Sequence, residues 1–104
     1  MYGTVARMRL RPQMESRLRE EMQGQMREGV PGWVASYVYR SDADPDEVFA
    51  VILFQNREAY WANARSQEQD RRYRRMRDLL QADPEWHDGE VVQAQTASGA
   101  AAAG

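Results

Sequence analysis

Residues 48–54 are apolar at every position, Val48-Phe49-Ala50-Val51-Ile52-Leu53-Phe54. An unbroken apolar stretch of strand length expects cover on both faces of its sheet. Residues 33–40 come before it and are rich in aromatic and β-branched side chains (Trp33, Val34, Tyr37, Val38, Tyr39), which predicts a second strand. Between the two, the acidic stretch 41–47 holds Pro45 and reads as a hairpin loop. Near the start, residues 2–10 alternate. Thr4, Ala6, Met8 and Leu10 share one face and Val5, Arg7 and Arg9 the other, a period of two that marks a strand.

Helical periodicity flanks this core of strands. Pro12 suits the first turn of a helix. Met14, Leu18, Met22 and Met26 then recur every four residues and draw one apolar stripe along a charged segment. Gly29 is the expected stop, with Val30-Pro31-Gly32 as the turn after it. Asn56 is a plausible N-cap for a short helix with Ala59, Tyr60 and Trp61. Ser66 and Gln69 fit a capping box that opens a longer helix running to Gln81, with Tyr73, Met76, Leu79 and Leu80 on its buried side. Asp83-Pro84 would end it. Trp86-His87-Asp88-Gly89 reads as a turn into a last strand over residues 90–94. The order is strand, helix, strand, strand, helix, strand: an α+β domain with its helices on one face of the sheet. The other face needs cover from elsewhere.

The bulk numbers narrow the picture only slightly. A chain of 104 residues is one domain at most, assigned to residues 1–96, with the Ala- and Gly-rich 97–104 expected to be a flexible tail. A net charge of −2 points to neither nucleic acid nor an anionic membrane as partner. There is no cysteine, so disulfides and thiolate chemistry are excluded. All 14 basic residues are arginine, so no lysine is present to form a Schiff base. No stretch resembles a signal peptide or a membrane span, and a cytoplasmic location is expected.

Phe54 at the strand end, followed by Gln55-Asn56-Arg57-Glu58-Ala59-Tyr60, resembles the strand-to-helix junction of the antibiotic biosynthesis monooxygenase (ABM) domains. Arg11-Pro12 and Pro31-Gly32 also sit where that family places its turns. The similarity spans roughly residues 2–94. It implies a ferredoxin-like βαββαβ fold with an antiparallel four-stranded sheet, assembled as a dimeric α+β barrel. In such a homodimer two subunits press their sheet faces together. The family includes cofactor-free monooxygenases of aromatic quinols and polyketides, haem-degrading enzymes and proteins of unassigned activity, with the pocket between sheet and helices. The haem-degrading branch resembles a strand asparagine, a helical tryptophan and a helical histidine acting together. Those positions fall near Ala6, Asn63 and Tyr73, and none matches. The histidine that many members carry early in the second helix is also missing from residues 67–70.

The resemblance therefore implies a monooxygenase without cofactor, acting on a phenolic, quinol or polyketide-like aromatic. The alternative is a non-catalytic dimer that binds a small apolar ligand or a partner protein. His87, the only histidine, is the candidate base to deprotonate a phenol, although its polar turn also suits simple exposure to water. Tyr73 and Arg72 are candidates to stabilise developing negative charge, with Arg75 as a substitute for Arg72. Trp61 and Tyr73 are candidates to stack on a planar substrate and Tyr37 and Tyr39 to hydrogen-bond it, while Met22 and Met76 would make an adaptable apolar lining. Trp33 and Trp86 are expected to pack at the sheet ends. Arg71, Arg72, Arg74, Arg75 and Arg77 read as a solvated face laced with ion pairs rather than a nucleic-acid surface. Residues 42–47 lack the glycine and spacing of a calcium loop, and no metal site is expected.

Overall fold

A computed structural model describes residues 1–97. The elements are β1 (Tyr2–Arg9), α1 (Glu15–Glu28), β2 (Trp33–Arg40), β3 (Glu47–Phe54), α2 (Arg57–Ala64), α3 (Gln67–Arg77) and β4 (Glu85–Glu90). The four strands form one antiparallel sheet in the order β2-β3-β1-β4. This is the α+β ferredoxin-like arrangement that the order of strands and helices predicts. The expected flexible tail, 98–104 in particular, lies outside the described residues, as does the side chain of Met26. No helix among the described residues is long and apolar enough to cross a membrane.

The alternation of β1 sets the architecture. Tyr2, Thr4, Ala6 and Met8 face the helices, where they pair in register with Phe54, Ile52, Ala50 and Val48 of β3. Paired residues point to the same side of a pleated sheet. The core is built from Ala6, Met8, Leu10, Val48 and Ala50 on the sheet with Leu18, Leu79 and Leu80 above it. Met14, Met22, Ile52 and Met76 pack around them. The other sheet face carries Val5, Arg7, Phe49, Val51, Leu53, Tyr37 and Tyr39.

The helix starts follow local capping chemistry. The Asn56 carboxamide oxygen accepts from the Ala59 N–H at 2.8 Å, and the Ser66 hydroxyl accepts from the Gln69 N–H at 3.1 Å. Only half of the expected capping box forms, because the Gln69 side chain instead accepts from Arg72. Gly32, at φ 79°, packs so closely on α2 that a Cβ there would lie 2.5 Å from that of Ala59. That approach and the positive φ both require glycine.

Three boundaries differ from the sequence expectation. The first helix begins at Glu15 rather than at Pro12, after a turn in which Gln13 takes φ 66°. The helix α3 ends at Arg77 rather than Gln81. Residues beyond it give their backbone to the end of β1: Arg11 N–H donates to the Leu79 carbonyl and Gln81 N–H to that of Arg9, both at 2.8 Å. Leu80 is thereby buried as a bridge partner of Leu10. The last strand is Glu85–Glu90, where a turn was expected, and residues 91–94 are not a strand. A six-residue edge with one large apolar side chain, Trp86, carries no readable alternation. Pairing along β1 makes it a strand.

Candidate functional site

Between the helix-facing side of the sheet and the helices lies a cavity of about 790 Å³. Such a volume is typical of small-molecule sites. Its aromatic lining is Trp33, Phe54, Tyr60, Trp61, Tyr73 and Trp86, and Leu18, Met22, Ile52 and Met76 supply aliphatic surface. Trp33 and Trp86 therefore face the cavity instead of only closing the sheet ends. The Trp33 indole N–H donates to the Ser36 hydroxyl at 2.7 Å, and a bulge between Trp33 and Ala35 shifts the strand register there.

The polar part of the cavity comes from three elements. Tyr60 of α2 donates its phenol O–H to Asp88 Oδ1 of β4 at 2.6 Å. Asp88 pairs in register with Thr4 of β1, so both side chains share the cavity side of the sheet. The Tyr60 ring is held edge-on by Tyr2, Phe54 and Trp61 at centroid distances of 5.2, 5.7 and 5.0 Å. Burial, and then the neighbouring Asp88 carboxylate, push the Tyr60 phenol far above its ordinary range, with Thr4 opposing weakly. Tyr60 is thus a fixed neutral donor and not a base. The Thr4 hydroxyl is buried at 4% exposure beside the Tyr60 phenol and has no hydrogen-bond partner of good geometry among the described residues. A buried, unpaired hydroxyl costs about 1–3 kcal/mol, so it calls for an explanation.

At the other end of the cavity Arg40 of β2 donates to Glu15 of α1 at 2.6 Å, with Arg19 beside them.

Four of the expected site residues line the cavity together: Trp61, Tyr73, Met22 and Met76. Tyr73 also lies 6.3 Å from Trp86, ring to ring. Arg72 stands behind the wall. Its buried guanidinium donates to Glu28 at 2.7 Å, to Asn63 Oδ1 at 3.1 Å and to Gln69 Oε1 at 3.2 Å. It ties α3 to α1 and α2 and holds Asn63 and Gln69, which do line the cavity.

Three expected site residues lie elsewhere. His87, Tyr37 and Tyr39 point to the opposite sheet face, in register with Val5, Val51 and Phe49. His87 is exposed and sits 2.8 Å from Glu85. The reason is the period of two: with residues 85–90 paired as a strand, Trp86 and Asp88 face the cavity and His87 must face away. Tyr60, Asp88 and Thr4 were the residues missed. Thr4 was legible as a polar residue on an otherwise apolar strand face, whereas Asp88 becomes visible only once the β1–β4 register is known.

The arginines of α3 each meet a carboxylate. Arg71 lies 3.9 Å from Glu68, Arg74 2.9 Å from Asp70, Arg75 3.0 Å from Glu21 and Arg77 2.7 Å from Asp83. Apart from Arg72 these are exposed pairs of small individual worth.

A family model described as antibiotic biosynthesis monooxygenase matches residues 1–77. No curated protein matches the chain. Among solved structures, the fold is similar to that of SnoaB, a cofactor-independent oxygenase from Streptomyces nogalater (TM-score 0.75, 13% identity, 89% of this chain and 94% of that one). It is also similar to a candidate antibiotic biosynthesis monooxygenase from Chloroflexus aurantiacus (0.73, 21%, 91% and 96%) and to a conserved protein from Methanosarcina mazei (0.72, 13%, 85% and 89%).

Proposed function

The chain belongs to the antibiotic biosynthesis monooxygenase family, and from that premise we propose that it is a cofactor-independent monooxygenase of phenolic or quinol-type aromatics, polyketide-like ones included. The observation that carries this reading is the Tyr60–Asp88 pair set into a cavity walled by aromatic rings. A flat substrate lies among Trp33, Trp61, Tyr73 and Trp86. Asp88 replaces His87 as the base and takes the phenolic proton. Tyr60 holds one carboxylate oxygen and leaves the other for that task. The anion gives one electron to dioxygen, and the resulting radical and superoxide combine at an activated ring carbon. The peroxide then loses water, so a CH₂ and O₂ become a carbonyl and H₂O. Tyr73 faces the developing negative charge, and Arg72 acts by keeping Asn63 and Gln69 in the wall.

The working unit in this reading is a homodimer through the open sheet faces. Support comes from Val5, Tyr37 and Tyr39, which are exposed, beside the half-buried Phe49, Val51 and Leu53. A monomer rarely leaves so continuous an apolar face in water.

Oxygen consumption with a panel of hydroquinones and anthrones, after metal chelation and removal of flavin, tests the activity. Uptake above the buffer rate is expected, falling roughly 100-fold or more in Asp88→Asn. A panel with no uptake at all would overturn it. The second reading, a non-catalytic dimer binding an apolar ligand, is favoured by His87 facing solvent and would then take its place.

A further inference from the structure

We propose that Thr4 and Asp88 form a hydroxyl-recognition subsite in the cavity, which selects aromatic ligands with a free phenolic hydroxyl over their methyl ethers. The inference deepens the reading above and rests on the cavity being its ligand site. Three observations combine. The Thr4 hydroxyl is buried, lines the cavity and has no hydrogen-bond partner among the described residues. Asp88 is its cross-strand neighbour on the same sheet face. Tyr60 occupies Asp88 Oδ1, and no other hydrogen bond to this carboxylate is seen among the described residues.

The donor and acceptor inventory then restricts what fits. Ionised Asp88 can only accept, while the Thr4 hydroxyl can donate or accept. One ligand group meeting both must donate to Asp88 and accept from Thr4. A hydroxyl does both with a single oxygen. A methyl ether or a ketone only accepts, which satisfies Thr4 and leaves the carboxylate facing an acceptor. A ligand carboxylate adds like-charge repulsion. An unsubstituted ring leaves the buried Thr4 hydroxyl unpaired and covers the Asp88 carboxylate without a donor, which is the situation that makes polar sites selective. The same contact hands the phenolic proton to the proposed base, so recognition and activation share one atom.

The test is equilibrium binding without oxygen, read by quenching of tryptophan fluorescence, because Trp33, Trp61 and Trp86 line the cavity. The probes are 1-naphthol, 1-methoxynaphthalene and naphthalene. The wild-type protein is expected to prefer the naphthol to its ether by roughly tenfold, the worth of one well-made hydrogen bond. Thr4→Val keeps the branched shape and should cut that preference to about twofold or less, while Thr4→Ser retains it. Should Thr4→Val fail to melt cooperatively, Thr4→Ala against Thr4→Ser gives the same comparison. A wild type that binds the naphthol and its ether alike, or binds neither, overturns the proposal, as does a Thr4→Val protein with undiminished preference. Because no turnover is needed, absent oxygen uptake with an intact Thr4-dependent preference would sink only the monooxygenase reading. Uptake with no such preference would sink only this one.

Discussion

The two faces of one sheet behave as different materials. Ala6 and Met8, on the helix side, are exposed by 0% and 2%. Val5, between Thr4 and Ala6 in sequence, is exposed by 41%, and Tyr39 on the same open face by 56%. Both faces are apolar along β3, so composition does not separate them. The helices cover one face and leave a cavity over part of it. The open face has a greasy centre and a charged margin, where Arg7 meets Glu47 at 2.7 Å and His87 meets Glu85. An apolar centre with a polar rim is the anatomy of an interface rather than of a core. A strand apolar on both sides thus serves two different ends, one within the chain and one, in the proposed homodimer, against a second copy.

Substitutions on the two faces break this contrast most directly. Leu18→Ala empties a fully buried position above the sheet and should cost about 2–5 kcal/mol in chemical denaturation. Val51→Arg on the open face should weaken self-association roughly 100-fold or more in sedimentation, since it sets an unpaired charge in the apolar centre of the proposed interface. Its effect on the melting of the separated chain should be small. Equal losses of fold stability from both variants, with association untouched, would erase the distinction.

A smaller effect sharpens the helix side. Arg72→Met keeps the apolar stem but strips partners from Asn63 and Gln69, and should cost about 1–3 kcal/mol. Glu28 is half exposed and can return to water, which keeps the loss below that of a sealed pair. A variant as stable as the parent would mean that the three-helix tie adds nothing.

The smallest effect lies at the margin of the open face. The hydrogen bond from Arg9, with a second from the Asp46 N–H, holds the Asp44 carboxyl below the usual carboxylate range. A depressed carboxyl contributes order above its unfolded pKa, and that contribution is lost as pH falls through the lower folded value. The Asp46 amide resonance should therefore titrate with a midpoint below that of a free aspartate, and Arg9→Gln should move the midpoint up. A midpoint in the ordinary range in both proteins would show that the contact does not hold in solution.

Much of this was legible in the chain itself. The alternation of β1 placed Thr4, Ala6 and Met8 on the buried face, and the doubly apolar β3 announced that the sheet would have two apolar faces. Both were readable because the period is carried by several residues. The site was half legible. Trp61, Tyr73, Met22 and Met76 lie where helical spacing put them. The polar centre was not, because Asp88 acquires its meaning from Thr4, more than eighty positions away in the chain. With the last strand expected at residues 90–94 instead of 85–90, His87 and Asp88 both fell in a turn, where no alternation says which of the two faces the cavity. Short edge strands carry too few side chains to fix their own register, so the neighbouring strand must fix it.

The order β2-β3-β1-β4 also imposes a timetable on a nascent polypeptide. The first of the four strands to be made takes an interior place in the sheet, yet its two neighbours are translated some forty and eighty residues later. Until residues 85–90 emerge, β1 keeps one unpaired edge, and the Asp88 wall of the cavity does not exist. Completion of the candidate site thus waits on the last of the four strands, and a product cut short before it would lack both that pairing and the Asp88 wall.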